Sequence, residues 1–185
     1  FINWIKNFQT KKKFNIKTVC IGNIYVGGTG KTPLCIETFH ILKKLGFRPV
    51  FIKKFYPNQK DEIKLLSKNG PVISLNSRKK SLEMAETNKY DFAIIDDGLQ
   101  DKTIEYDLKI LCFDKKNFIG NGKLIPAGPL RERLNAVKNC HLVFFNGPHY
   151  IKNEFKLLLK KNKQNIQIFE TEPKLSKINN LKKKN

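Results

Sequence analysis

Short apolar runs alternate with stretches of helical periodicity along most of this chain. "KTVCIG" (17–22), "RPVFIK" (48–53), "PVISL" (71–75), "DFAIID" (91–96), "LKILCFD" (108–114) and "HLVFFN" (141–146) carry little polar alternation, the pattern of strands covered on both faces. Between the first two, Thr32 to Leu45 reads as a helix, with Pro33 in its first turn and Gly46 as its stop. Helices linking buried strands make right-handed crossovers, so the pattern predicts a three-layer α/β fold with a largely parallel sheet. Upstream, Phe1, Ile2, Trp4, Ile5 and Phe8 recur at helical spacing ahead of Lys11, Lys12 and Lys13. That segment fits a helix docked on the core and equally an interfacial helix whose aromatic face enters a headgroup zone. From Leu157 the sequence is lysine-rich and ends "NNLKKKN", which reads as a tail that frays or runs toward a further part of the protein.

At 185 residues, 40% of them hydrophobic, the chain can close one sizeable core, and a single domain is expected. No window approaches the roughly eighteen consecutive apolar residues of a membrane span, and no signal-peptide pattern leads the chain, so the expected location is cytoplasmic. Cys20, Cys35, Cys112 and Cys140 are far apart and form no C-x-x-C pair, which predicts reduced, buried thiols. Phe1 in place of an initiator methionine, with Met84 the sole methionine, reads as a piece of a longer protein. The net charge of +20 points to an anionic partner: nucleic acid, a membrane surface or a phosphorylated substrate. Lysine, asparagine, isoleucine and phenylalanine are abundant together, as in AT-rich coding sequences, so part of that charge is compositional.

Three segments carry chemistry. The first is "GNIYVGGTGKTP", where a strand ends near Gly22, glycines follow, and Lys31 and Thr32 open a helix. Such a loop wraps backbone N–H groups around phosphate oxygens, its lysine reaches the terminal phosphates, and its threonine hydroxyl can hold Mg²⁺. The common G-x-x-x-x-G-K-[ST] spacing needs glycine at position 25, where Tyr25 stands, so the match is to the shorter "GGTGKT" form. The second is "YDFAIIDDGLQ": a strand ending in Asp96 and Asp97 places carboxylates opposite a phosphate loop to organise Mg²⁺. The third is "GNGKLIPAGPLRER" (120–133), a proline- and glycine-stiffened loop whose Arg131 and Arg133 can grip phosphate.

Together and in this order, "GNIYVGGTGKTP", "DDGLQ" and "NGKLIPAGPLRER" resemble the tetraacyldisaccharide 4'-kinases, the lipid A kinases of Gram-negative bacteria, over about Thr18 to Gly147. The resemblance implies a P-loop NTPase-like domain that uses ATP and Mg²⁺ to phosphorylate the 4'-hydroxyl of a tetraacylated glucosamine disaccharide 1-phosphate, peripherally at the cytoplasmic face of the inner membrane. It puts the phosphate loop on Tyr25, Val26, Gly27, Gly28, Thr29, Gly30, Lys31 and Thr32, and the metal on Thr32 with Asp96 or Asp97. It makes Asp61, in "NQKDEIKLL", the base for the sugar hydroxyl, and it gives Arg78 and Arg131 the balancing of phosphate charge. It divides the chain into an N-terminal helix (1–16), a kinase domain (17–170) and a basic tail (171–185) leading toward a C-terminal lobe.

Departures from the family pattern are visible. "KKFY" keeps Tyr56 but lacks the family's Ser-Arg-Gly, so Lys54 stands where an arginine is usual, and Asp101 stands where the family has histidine. Competing readings are a membrane-associated P-loop ATPase switch, which lacks its characteristic lysine because Val26 is there, and a nucleotide-binding remnant without turnover. A nucleic-acid binder is disfavoured, because the aromatics sit in apolar runs and not among exposed basic residues. No obligate protein partner is expected.

Overall fold

The computed structural model describes residues 10–147 and 150–171. Among them are seven strands, β1 (Lys17–Gly22), β2 (Pro49–Lys53), β3 (Val72–Ile73), β4 (Phe92–Asp96), β5 (Leu108–Asp114), β6 (Leu142–Asn146) and β7 (Gln167–Thr171). Four α-helices accompany them: α1 (Lys31–Lys44), α2 (Lys60–Ser67), α3 (Arg78–Thr87) and α4 (Asn153–Asn162). The strands form one sheet in the order β3-β2-β4-β1-β5-β6-β7, and every pairing between them is parallel. The three-layer α/β domain with a parallel sheet is therefore the observed architecture.

The side-chain alternation of each strand explains the layers. Phe51 and Ile94 turn to the face covered by Cys35 and Phe39 of α1 and Leu66 of α2. Their successors Ile52 and Ile95 turn to the opposite face, against Leu82 and Ala85 of α3. Across the sheet, Leu111 and Phe113 of β5 pack with Val143 and Phe145 of β6, Phe118 and Leu159 of α4. Strands buried on both sides cannot alternate polar and apolar residues, which is why their sequence reads as continuous apolar runs.

Register then places the chemistry. Ile21 of β1 and Lys53 of β2 both lie beside Asp96 at the end of β4. The carboxyl ends of three adjacent strands thus open into one crevice, where open α/β sheets bind ligands.

Two sequence expectations change. Residues 10–16 are not helical: Lys12 bridges Ile104, and Phe14 and Ile16 are buried with Ile104 and Tyr106, so the core begins before residue 17. The aromatic helix expected over Phe1 to Phe8 lies outside the described residues, as does the tail from 172 onward. The segment from Leu157 does not fray as far as Thr171. Leu159 and Ile166 are buried, and β7 pairs with β6; the lysines mask an apolar stripe that packs under the sheet edge.

The four cysteines are free and buried. Burial pushes the thiols of Cys20 and Cys35 well up, that of Cys112 to about 12 and that of Cys140 to about 11. No helix among the described residues is long and apolar enough to cross a membrane.

Ile94, fully buried at the centre of β4, provides a test of this core. Ile94→Ala should lose about 2–5 kcal/mol of stability in urea denaturation, whereas Leu65→Ala, at an exposed position of α2, should stay within about 0.5 kcal/mol of the parent.

Candidate functional site

The glycine loop leaves β1 at Gly22 and turns into α1 at Gly30, whose φ of 78° is left-handed backbone suited to glycine. No side chain caps α1 and no acid stands in its first turn, so its N-terminal N–H groups and partial positive charge are available to an anion. The loop is stiffened from inside by Asn23, fully buried, whose Nδ2 donates to Thr29 Oγ1 at 2.9 Å. Tyr25, at the position where glycine is usual, forms an antiparallel bridge with Leu130, and Val26 N donates to Pro129 O at 2.9 Å. The departure at residue 25 is thereby accounted for: it docks the glycine loop on the 120–133 loop. Val26, Gly27 and Gly28 are exposed at the tip, while Lys31 and Thr32 are half-buried.

Facing this loop, the two aspartates have different surroundings. Asp96 is buried; its Oδ2 accepts from Lys53 Nζ at 2.9 Å and from Thr32 Oγ1 at 3.3 Å, while its Oδ1 is buried with no partner. Asp97 has a φ of 61°, left-handed backbone that aspartate tolerates better than most residues. Its N–H donates to Ile21 O at 2.8 Å, its carbonyl accepts from Arg78 Nη2 at 2.6 Å, and Arg131 holds its carboxylate in a fork at 2.7 and 3.0 Å. Burial opposes the Asp97 charge, but the Arg131 hydrogen bonds and the charges of Lys31, Arg131 and Lys53 outweigh it and hold its pKa below the usual carboxylate value. Gly98 follows because a Cβ there would lie 2.5 Å from Ile95 Cγ2 and 2.9 Å from Cys20 Sγ.

A cavity of about 370 Å³ opens beside these groups, lined in part by Lys53, Arg78, Asp96, Asp97, Gln100 and Arg131. The structure thus brings together Thr32, Asp96, Asp97, Arg78 and Arg131, as the sequence predicts. Arg131 is engaged differently from that prediction. Its Nη2 donates to Asn23 O at 2.8 Å as well as to Asn23 Oδ1 and Asp97, so it cross-links the glycine loop to the aspartates instead of pointing free toward a phosphate.

Asp61 is not brought in. It is exposed in the first turn of α2, and the next residue, Glu62, is the one that reaches the site, accepting from Lys53 Nζ. Asp101, in place of histidine, meets Arg78 Nη1 at 3.6 Å and accepts from Thr103 Oγ1 at 2.7 Å. Three participants escaped the sequence reading: Lys53, Asn23 and Gln100, whose Nε2 donates to Asn23 O at 2.8 Å. Asn23 and Gln100 lie within the quoted motifs without a role assigned there, and Lys53 carried a signal of its own, a lysine closing an otherwise apolar strand. Burial disfavours its charge, yet Asp96 and Glu62 together hold its pKa above the ordinary lysine value.

Among the described residues no three His, Cys, Asp or Glu side chains gather into a metal site. A hydroxyl, one unpartnered carboxylate oxygen and an open face toward phosphates do fit Mg²⁺, which keeps few protein ligands and takes the rest from phosphate and water.

The family model described as tetraacyldisaccharide-1-P 4'-kinase matches residues 3–70 and 60–185. The chain belongs to this family. The tetraacyldisaccharide 4'-kinase of Pelagibacter ubique is 50% identical over 167 residues, covering 89% of this chain and 53% of the relative. That of Psychromonas ingrahamii is 32% identical over 175 residues, covering 84% and 54%. The chain therefore spans about half the length of these curated relatives. The crystal structure of LpxK from Aquifex aeolicus in complex with ATP superimposes with a TM-score of 0.70 at 22% identity, covering 91% of this chain and 58% of that one. The GDP complex of the signal recognition particle 54 kDa protein from Aeropyrum pernix reaches 0.61 at 12% identity, covering 91% and 44%. The chain shares its fold with these two proteins.

The Arg131–Asp97 fork has a pH signature. A carboxylate with a lowered folded pKa contributes stability that is present above its unfolded pKa of about 3.9 and lost as pH falls through the folded value. Arg131→Gln should raise the Asp97 pKa, read by carboxyl-carbon NMR titration, and move the acid-unfolding midpoint to higher pH.

Proposed function

We propose that this chain is the nucleotide-binding part of an ATP-dependent kinase that phosphorylates the 4'-hydroxyl of tetraacyldisaccharide 1-phosphate in lipid A synthesis, working peripherally at the cytoplasmic face of the inner membrane. The observation that carries the reading is the meeting of an uncapped glycine-loop helix, Thr32 and the Asp96–Asp97 pair in one crevice of a chain from this family. The basic surface suits an anionic amphiphile presented by a membrane.

Phosphoryl transfer depends on positioning and charge compensation more than on covalent chemistry. The Tyr25 to Thr32 backbone and Lys31 hold the β and γ phosphates of ATP. Mg²⁺, when bound, neutralises charge on those phosphates, and Thr32 with Asp96 or Asp97 would hold it. Arg131 keeps Asp97 ionised and fixed against the phosphate loop. Arg78, tied to the Asp97 carbonyl, adds a second cation at the cavity wall for the transferred group or the substrate 1-phosphate. The family resemblance makes Asp61 the base for the attacking hydroxyl; exposed at the start of α2 and outside the lining of the crevice, it can take that role only toward a substrate that approaches from the solvent side.

Two sets of variants test this reading. Lys31→Ala and Thr32→Ala should each weaken Mg²⁺-ATP binding at least about tenfold in calorimetry without unfolding the chain, because both side chains point into the crevice and not the core. Unchanged affinity in both removes the phosphate-loop assignment. In a chain extended to the length of its relatives, Asp61→Asn should cut kcat by roughly 10²- to 10⁴-fold with ATP affinity within a few-fold. A loss in Glu62→Gln with Asp61→Asn unaffected would move the base by one residue.

A further inference from the structure

Lys53 closes β2 behind three fully buried residues, Val50, Phe51 and Ile52. A lysine in that position ordinarily runs its stem along the apolar surface and leaves its ammonium in water. Here the charge turns inward: the residue is 3% exposed, and its Nζ lies 2.9 Å from Asp96 Oδ2 with Glu62 as its second partner. The sheet itself sets this contact, because Lys53 and Asp96 are register neighbours. Asp96 is consequently two-sided. One oxygen is committed to a cation of the chain and to the Thr32 hydroxyl, and the other is buried without a partner.

We propose that Lys53 is a tethered cation of the nucleotide site, a positioning residue whose fixed charge supplies part of the compensation that a divalent cation otherwise gives a bound nucleoside triphosphate. The inference rests on the kinase reading above and adds a determinant of its metal demand. A fixed positive charge at Asp96 weakens the pull of that carboxylate on a divalent cation, and it attracts polyphosphate when no metal is present. Both effects narrow the gap between ATP affinity with and without Mg²⁺. Glu62 takes up part of the same charge from the exposed side of the pair, so it moderates the effect.

The test is calorimetric ATP binding to the chain in EDTA and in Mg²⁺, for the parent, Lys53→Gln, Lys53→Arg and Glu62→Gln, with a thermal melt of each. Glutamine removes the charge and keeps a hydrogen-bond donor on a side chain one atom shorter. The Mg²⁺ enhancement of ATP affinity should grow about tenfold in Lys53→Gln, stay within about twofold of the parent in Lys53→Arg, and fall in Glu62→Gln. An unchanged enhancement in folded Lys53→Gln, or the same rise in Lys53→Arg, overturns the assignment. Should Lys53→Gln melt below the binding temperature, Glu62→Gln decides, and an unchanged enhancement there overturns it. A parent chain that binds no ATP in either buffer overturns the kinase reading itself, a result distinct from an unchanged enhancement.

Discussion

Two adjacent carboxylates, Asp96 and Asp97, lie at the end of a buried strand, where like charges side by side are each met by a cation. The chain answers each from a different direction. Lys53 reaches Asp96 along the neighbouring strand, and Arg131 reaches Asp97 from a loop more than thirty residues further on. Once those cations are fixed, much of the crevice follows. Lys53 draws α2 inward through Glu62, and Arg131 draws the 120–133 loop onto Asn23 and the phosphate loop.

Such pairs add little net stability, because desolvating two charges offsets most of their attraction. Their effect is geometric. The Arg131 fork permits one orientation of Asp97, whose left-handed backbone then exposes its carbonyl to Arg78. The apolar layers above and below the sheet provide the stability that holds these groups at the crevice. The lysines over the surface contribute to encounter with anions more than to the fold.

Comparing the two carboxylates shows how unlike adjacent residues become. Asp96 ends with one oxygen unpartnered in a buried place, which suits a metal or its water. Asp97 has both oxygens taken by Arg131. A role for Asp97 at a metal requires that the fork open or share, whereas Asp96 needs no rearrangement of its Oδ1.

The sequence by itself determined six of the seven strands, the parallel architecture and the glycine loop that opens α1, because each rests on local pattern: apolar runs for doubly covered strands, and glycines followed by Lys31 and Thr32 for a loop opening a helix. Motif order singled out Asp96, Asp97 and Arg131, and the family resemblance added Arg78. It did not reveal β7, whose apolar pair Ile168 and Phe169 is short and follows a lysine-rich stretch, nor the burial of Phe14 and Ile16 ahead of β1. Only the tertiary structure decided that Lys53 faces inward, that Arg131 binds a carboxylate and two atoms of Asn23, and that Glu62 and not Asp61 meets the buried charges. These are matters of register between strands and of the rotation of one short helix, and a shift of one residue there exchanges the side chain that points at the site for the one that points at water.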